Sequence, residues 1–160
     1  MSDVDSAHFR ALCGRFATGV VVVTAIDPTG RPIGMTANSF ASVSLDPSLI
    51  SLNVEHRAEF HATIAVTDRF TVNVLSHEQE ALSRRFAGTP APDRLDGVGY
   101  RTTDDGRIAL DGTIATIECE IFDRYAVGDH TIVIGRVVGG TARDGRPLLY
   151  FRGGYRALAG

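Results

Sequence analysis

Apolar residues recur at Phe9, Leu12, Cys13 and Phe16, the i, i+3, i+4, i+7 spacing of one buried helical stripe, and predict an opening helix over roughly 5–16. Gly19 then frees the backbone. A β-branched run at 20–26 reads as a central strand, and Asp27-Pro28-Thr29-Gly30 is turn chemistry leading into a second strand through Met35. Further strands are expected at 48–54 and 70–75. Between them, residues 58–66 have helical spacing in Phe60 and Ile64. Ser76-His77-Glu78-Gln79 is a capping box and predicts a helix from His77 to about Phe86. Residues 88–112, with Pro90, Pro92 and scattered Asp and Gly, are expected to form a loop-rich crossing with little secondary structure. Ile117, Cys119 and Ile121 then alternate with Glu118 and Glu120, the period of a strand with one wet face, within a segment at 113–125. Val127-Gly128-Asp129 turns that strand into a second one at 131–138, and a last strand is expected at 148–151.

Strands dominate this order, helices are few, and consecutive apolar strands are joined by turns. The fold class expected is therefore mainly β, a closed or nearly closed antiparallel barrel with a few short helices, rather than a parallel βαβ sheet. A chain of 160 residues with no composition break suits one domain over 1–160. No leader pattern opens it, and its longest apolar runs, at 19–23 and 132–134, are too short to span a bilayer, so a cytoplasmic location without a membrane partner is expected.

Charge and composition exclude several chemistries. Net charge is -3, and no basic run exceeds Arg84-Arg85, which argues against nucleic acid as a partner. All 16 basic residues are arginine, so a Schiff-base lysine, a pyridoxal-phosphate enzyme and a Walker A loop are ruled out. Cys13 and Cys119 form no Cys-x-x-Cys pattern, and both are expected to be buried, reduced packing residues. His56 and His61 are five apart and lack a completing carboxylate pattern, so no metal site is expected. Ser83 lacks a Gly-x-Ser-x-Gly setting. Asp93, Asp96, Asp104, Asp105 and Asp111 are expected to be solvated. Gly97-Val98-Gly99-Tyr100-Arg101-Thr102 lacks the third glycine of a dinucleotide fingerprint and follows a polar loop.

The most distinctive segment is Gly34-Met35-Thr36-Ala37-Asn38-Ser39-Phe40-Ala41-Ser42-Val43-Ser44-Leu45-Asp46, closed by Pro47. Its small and hydroxyl-bearing residues suit a flat ligand with a polar rim: Thr36, Asn38, Ser39, Ser42 and Ser44 offer hydrogen bonds, and Met35, Ala37 and Phe40 offer a dry wall. A turn between two strands would use the same residue types for local hydrogen bonding.

Together with 16–24, 70–76, 82–87, Gly128-Asp129-His130 and 147–150, this segment resembles the short-chain flavin reductases, the small components of two-component flavin-dependent monooxygenases. The resemblance implies a split barrel that binds FMN or FAD, pairs as a homodimer, oxidises NADH or NADPH and supplies reduced flavin to a separate monooxygenase acting on an aromatic substrate. It places Gly34, Met35, Thr36, Ala37, Asn38 and Ser39 along the isoalloxazine ring, with Asn53, Val54 and Glu55 ending a strand where the flavin is approached. It also implies that Arg85 binds a flavin phosphate and that Phe86 covers the ring or adenine, although Arg85 equally suits the dipole at a helix C-terminus. Glu59 and Phe60 stand where many relatives carry Ser or Thr, which leaves FMN versus FAD open. Gly128, Asp129 and His130 fall on the nicotinamide side, with His130 the catalytic candidate. A second class stays open: a split-barrel flavoprotein that carries electrons or senses without reducing free flavin.

Overall fold

The computed structural model describes residues 3–90 and 93–159. In chain order the elements are α1 (Ser6–Cys13), β1 (Thr18–Gly19), β2 (Val21–Ile26), β3 (Pro32–Ala37), β4 (Ala41–Leu45), β5 (Ser48–Glu55), α2 (Glu59–Ile64), β6 (Arg69–Val74), a 3-10 turn (His77–Gln79), α3 (Glu80–Gly88), β7 (Tyr100–Thr102), β8 (Ile108–Leu110), β9 (Ala115–Val127), β10 (His130–Ala142), β11 (Leu149–Phe151) and β12 (Gly154–Arg156). Seven strands form one antiparallel sheet in the order β3-β2-β6-β9-β10-β5-β4, joined by a small β1-β11-β12 sheet and the β7-β8 hairpin.

β2 explains why its stretch of sequence is apolar without a break. Alternate side chains point to opposite faces, so Val21, Val23 and Ala25 enter one core with Leu52, Val54, Phe60, Ile64, Phe70, Val72 and Val133. Val20, just before the strand, and Val22 enter a second core with Leu75, Phe86, Ile108, Leu110 and Leu148. Residues from β2, β5, β6, β9 and β10, with Ile33, Met35 and Ala37 of β3, share the first core, so the sheet is rolled around it. The roll stays open between its edge strands β3 and β4, which only residues 38–40 connect.

The buried amide of Asn73 ties β6 to β2 and β8 beside the second core. Its Nδ2 donates to the Val22 carbonyl at 2.9 Å and to Thr24 Oγ1 at 3.0 Å, and its Oδ1 accepts from the Leu110 amide at 2.9 Å. Thr24 Oγ1 donates in turn to the Ile108 carbonyl at 2.6 Å. The Asn73 amide and the Thr24 hydroxyl are thus both satisfied in the buried interior, while the neighbouring Thr71 hydroxyl has no partner among the described residues.

Several sequence expectations change. Helix α1 is shorter than 5–16, capped by Asp5, whose Oδ1 accepts from the His8 amide at 2.9 Å. Its stripe is exposed, with Phe9, Leu12 and Phe16 at 60%, 55% and 79%, because an amphipathic period identifies a face without supplying the element that covers it. Cys13 is exposed too, against the expectation of a buried thiol, whereas Cys119 is buried and desolvation raises its pKa to about 12. The 88–112 crossing contains the β7-β8 hairpin; residues 91 and 92, and Pro92 with them, lie outside the described residues. Ile108–Leu110 are buried there as a three-residue strand, too short to register as a period. The Ser76-Gln79 capping box forms, with the Ser76 amide donating to Gln79 Oε1 at 3.0 Å, but its first turn is 3-10.

Asn73→Ala removes the acceptor of the Leu110 amide and one donor each from the Val22 carbonyl and from Thr24 Oγ1, which keeps its bond to the Ile108 carbonyl; a buried group left unpaired costs about 1–3 kcal/mol. Urea unfolding is expected to show a loss of about 2–4 kcal/mol with the slope unchanged. Wild-type stability in this variant would contradict the tie.

Candidate functional site

The open seam between β3 and β4 organises the residues singled out in sequence. β3 alternates: Met35 and Ala37 pack against the first core, while Gly34 and Thr36 face α3. Gly34 is there for space, since a Cβ would lie 2.7 Å from the Phe86 ring. Thr36 Oγ1 donates to the Ser83 carbonyl at 2.6 Å, which fixes α3 to the strand. Ser39 Oγ accepts from the Asn53 amide at 2.9 Å and donates to the Asn53 carbonyl at 3.3 Å, tying the connecting segment to β5. Both hydroxyls therefore serve the protein itself.

Asn38 differs. Its side chain is exposed and has no hydrogen-bond partner among the described residues, and residues 38–40 make no backbone–backbone hydrogen bond there. A short row of main-chain donors and acceptors is left at the seam, next to a cavity of about 220 Å³ walled by Val20, Ala37, Ala87, Tyr150 and Tyr155. Tyr155, absent from the sequence reading, is fixed three ways. Its hydroxyl is 2.8 Å from Ser83 Oγ, its ring meets Tyr150 edge-on at 5.3 Å, and the Arg84 guanidinium sits 4.7 Å above it. The Gly153-Gly154 pair after an apolar strand was the available sequence signal for the hairpin that presents Tyr155.

A second group forms where β5 ends against the start of β10. The register pairs Asn53 with Ile132, Val54 with Thr131 and Glu55 with His130, and the His56 amide donates to the Asp129 carbonyl at 2.9 Å. Gly128 takes φ +59 at the turn, a conformation that favours glycine. His130 Nδ1 lies 2.7 Å from Asp129 Oδ1. The hydrogen bond from His130 and its charge hold the Asp129 carboxyl below the usual aspartate value. An ionised carboxylate only accepts, so Nδ1 carries the proton and Nε2 is left for another partner. Nearby, the His56 and His61 Nε2 atoms approach one Thr131 hydroxyl at 3.2 and 2.9 Å. Among the described residues no group of three or more His, Cys, Asp or Glu is placed to hold a metal.

Some candidates are turned away from any ligand. Val54, Phe60 and Phe86 are 0% exposed, so Phe86 has no free face with which to cover a ring. Arg85 spends its donors on the chain, giving Nε to the Arg94 carbonyl at 2.7 Å and Nη2 to the carbonyls of Asp93 at 2.7 Å and Asp96 at 2.5 Å. That fork closes the 93–96 loop and leaves only Nη1 without a partner among the described residues. Glu59 forms an ion pair with Arg94 at 3.4 Å, and Arg94 also donates to the Gly34 carbonyl at 2.9 Å. Arg94, buried and unmarked by any motif, thus links two of the positions read from sequence.

Comparison with known proteins identifies what the chain as a whole is similar to. A family model described as flavin reductase like domain matches residues 13–159. An FMN reductase (NADH) of Agrobacterium fabrum is 41% identical over 151 residues, covering 94% of this chain and 85% of the relative. A solved structure from Sinorhizobium meliloti superposes with a TM-score of 0.91 at 42% identity, over 96% of this chain and 53% of that one, so the chain spans about half its length. The NADH:FAD oxidoreductase of Streptomyces globisporus, solved with NAD and FAD fragments, gives a TM-score of 0.91 at 36% identity over 99% and 98% of the two chains.

The Asp129–His130 contact stabilises the fold above the ordinary aspartate range and is lost as pH falls through the depressed folded-state value. NMR titration is expected to find the Asp129 carboxyl midpoint below that range in the wild type and back within it in His130→Ala. Equal midpoints would show that the contact does not form in solution.

Proposed function

The chain belongs to the flavin reductase-like domain family, and from that premise we propose that it is an NAD(P)H:flavin oxidoreductase supplying reduced flavin to a separate flavin-dependent monooxygenase. FMN or FAD binds along Thr36, Ala37, Asn38 and Ser39, with NADH or NADPH as the electron donor. The observation that carries this reading is the seam itself: an unpartnered Asn38 amide and unpaired main-chain groups at 38–40 beside a tyrosine-walled cavity. Those groups match the rim and apolar faces of an isoalloxazine ring. Bound flavin supplies two-electron acceptance from a reduced nicotinamide and onward delivery to an acceptor. Reductase names among the relatives, including reductase components of flavin-dependent monooxygenases from Rhodococcus jostii and Acinetobacter baylyi, favour an enzyme over a flavin carrier or sensor.

The chain's own residues bind and orient. Asn38 donates and accepts at the ring edge, and Ser39 holds it there by fixing the segment to Asn53. His130, with Nδ1 committed to Asp129, offers Nε2 to the nicotinamide carboxamide and orients it without having to act as acid or base. Lacking a dinucleotide fingerprint, the chain holds the nicotinamide cofactor only in transient docking. A homodimer is part of the proposal: exposed Val43 and Leu45 on β4, and Phe122, Tyr125 and Val127 on β9, are apolar surface that a second copy would cover. A cytoplasmic setting suits the exposed free thiol of Cys13, and no described helix is long and apolar enough to cross a membrane.

Purified protein is expected to oxidise NADH or NADPH under nitrogen over many turnovers when free FMN or FAD is supplied. No oxidation with either flavin would overturn the proposal, and one turnover per bound flavin would select the carrier instead. Asn38→Ala is expected to weaken flavin binding about fivefold, as for one lost hydrogen bond of about 1 kcal/mol, read by fluorescence titration. His130→Ala is expected to raise the apparent KM for the nicotinamide and slow flavin reduction about tenfold with flavin affinity unchanged. Wild-type rates at every nicotinamide concentration would remove His130 from the mechanism.

A further inference from the structure

Arginine is the only basic residue in this chain besides histidine, and several of its copies clamp backbone carbonyls. Arg85 holds residues 93, 94 and 96, Arg94 holds 89 and 34, Arg124 holds 64 and 67, and Arg143 holds 112 and 113. Arg10, Arg15 and Arg152, all three exposed, do none of this. Their side chains have no hydrogen bond or ion pair among the described residues, and folding brings all three, far apart in sequence, around one cavity of about 310 Å³ at Gly14 and Gly153. Arg10 and Arg152 also line a neighbouring cavity of about 410 Å³ with Phe9, Phe16 and Tyr150. No carboxylate lines either space.

Arg152 is held there at a conformational cost. It has φ +51, the single positive φ outside glycine among the described residues, and with Gly153 at φ +74 it makes the two-residue turn between β11 and β12. Such a turn usually takes Asn-Gly or Gly-Gly, because both central residues need positive φ. The Arg152 amide donates to the Gly14 carbonyl at 2.9 Å, so the turn is docked on the end of α1, beside Arg10 and Arg15. Guanidiniums without partners suit phosphate oxygens, and aromatic faces suit a purine. The larger cavity shares Asn38 and Tyr150 with the tyrosine-walled cavity at the seam.

From this we propose that Arg10, Arg15 and Arg152 form a subsite for the adenosine diphosphate end of a dinucleotide, the phosphates on the guanidiniums and the adenine among Phe9, Phe16 and Tyr150. It rests on the flavin reading of the seam. Continuity through Asn38 makes FAD the favoured source, and the subsite then separates FAD from FMN, which has no such end. The same chemistry is present in NADH, and the test tells the two apart.

The variants are Arg10→Ala, on an exposed helical position, and Arg152→Gly, which removes the guanidinium while keeping a residue suited to the turn. Thermal melts matching wild type establish that both fold. Calorimetry with ADP alone is expected to show binding to wild type and at least a tenfold loss in the double variant. Fluorescence titration is expected to show FAD affinity falling at least tenfold while FMN affinity stays within twofold. If FAD is unaffected and the half-saturating NADH concentration of the FMN-loaded protein rises instead, the subsite serves the nicotinamide dinucleotide. Failure of wild type to bind ADP, or equal FAD, FMN and NADH behaviour in the variants, overturns the subsite. Absence of any flavin binding by wild type, with ADP still bound, would instead overturn the flavin reading of the seam.

Discussion

The paired hydrogen bonds between the Ser39 hydroxyl and both backbone groups of Asn53 are the constraint on which the rest of the site depends. A rolled antiparallel sheet that does not close leaves two edges with unpaired backbone, which proteins usually cover or blunt. Here the edges β3 and β4 are consecutive in the chain, and three residues bridge them. Ser39 fixes that bridge to β5 from the middle, using its side chain in place of a ladder. The backbone groups on either side of it therefore stay available, held in one geometry rather than wandering.

Around the seam, packing supplies rigidity from both faces of β2. Its inward residues belong to the barrel core and its outward ones to the core beneath α3, so β3, lying next to it, is buttressed twice. Gly34 permits the close approach of Phe86, and the Thr36 hydroxyl holds the Ser83 carbonyl. Arg94 extends the same support to Glu59 and the loop after α3. A charged-donor hydrogen bond to a carbonyl is stronger than a neutral one, so these forks organise loops that have little secondary structure of their own.

Much of this was legible in sequence, for identifiable reasons. The run at 20–26 read as a central strand because burial on both faces demands it, and the Ser76-Gln79 pair announced a helix because capping is a local interaction. The alternation at 117–121 and the turn at Gly128 likewise predicted the long hairpin. What failed was direction and partnership. Phe60, Phe86 and Arg85 sit in motif positions near the seam, yet the two aromatics are core residues and the arginine clamps a loop, since motif proximity does not say which way a side chain points. Tyr155, Arg94 and the convergence of Arg10, Arg15 and Arg152 are products of tertiary structure, with their members far apart along the chain. Cys13 and the α1 stripe were read as buried from a periodicity that does not report what lies opposite.

Hydrogen–deuterium exchange with and without saturating flavin tests the seam most directly. Backbone amides at 38–40 have no backbone partner in the described structure, so they are expected to exchange fast in the free protein and to slow at least tenfold with flavin bound, while the already buried β8 amides at 108–110 stay unchanged. Flavin binding that protects another surface and leaves 38–40 exchanging as before would contradict the placement of the ligand in the open seam.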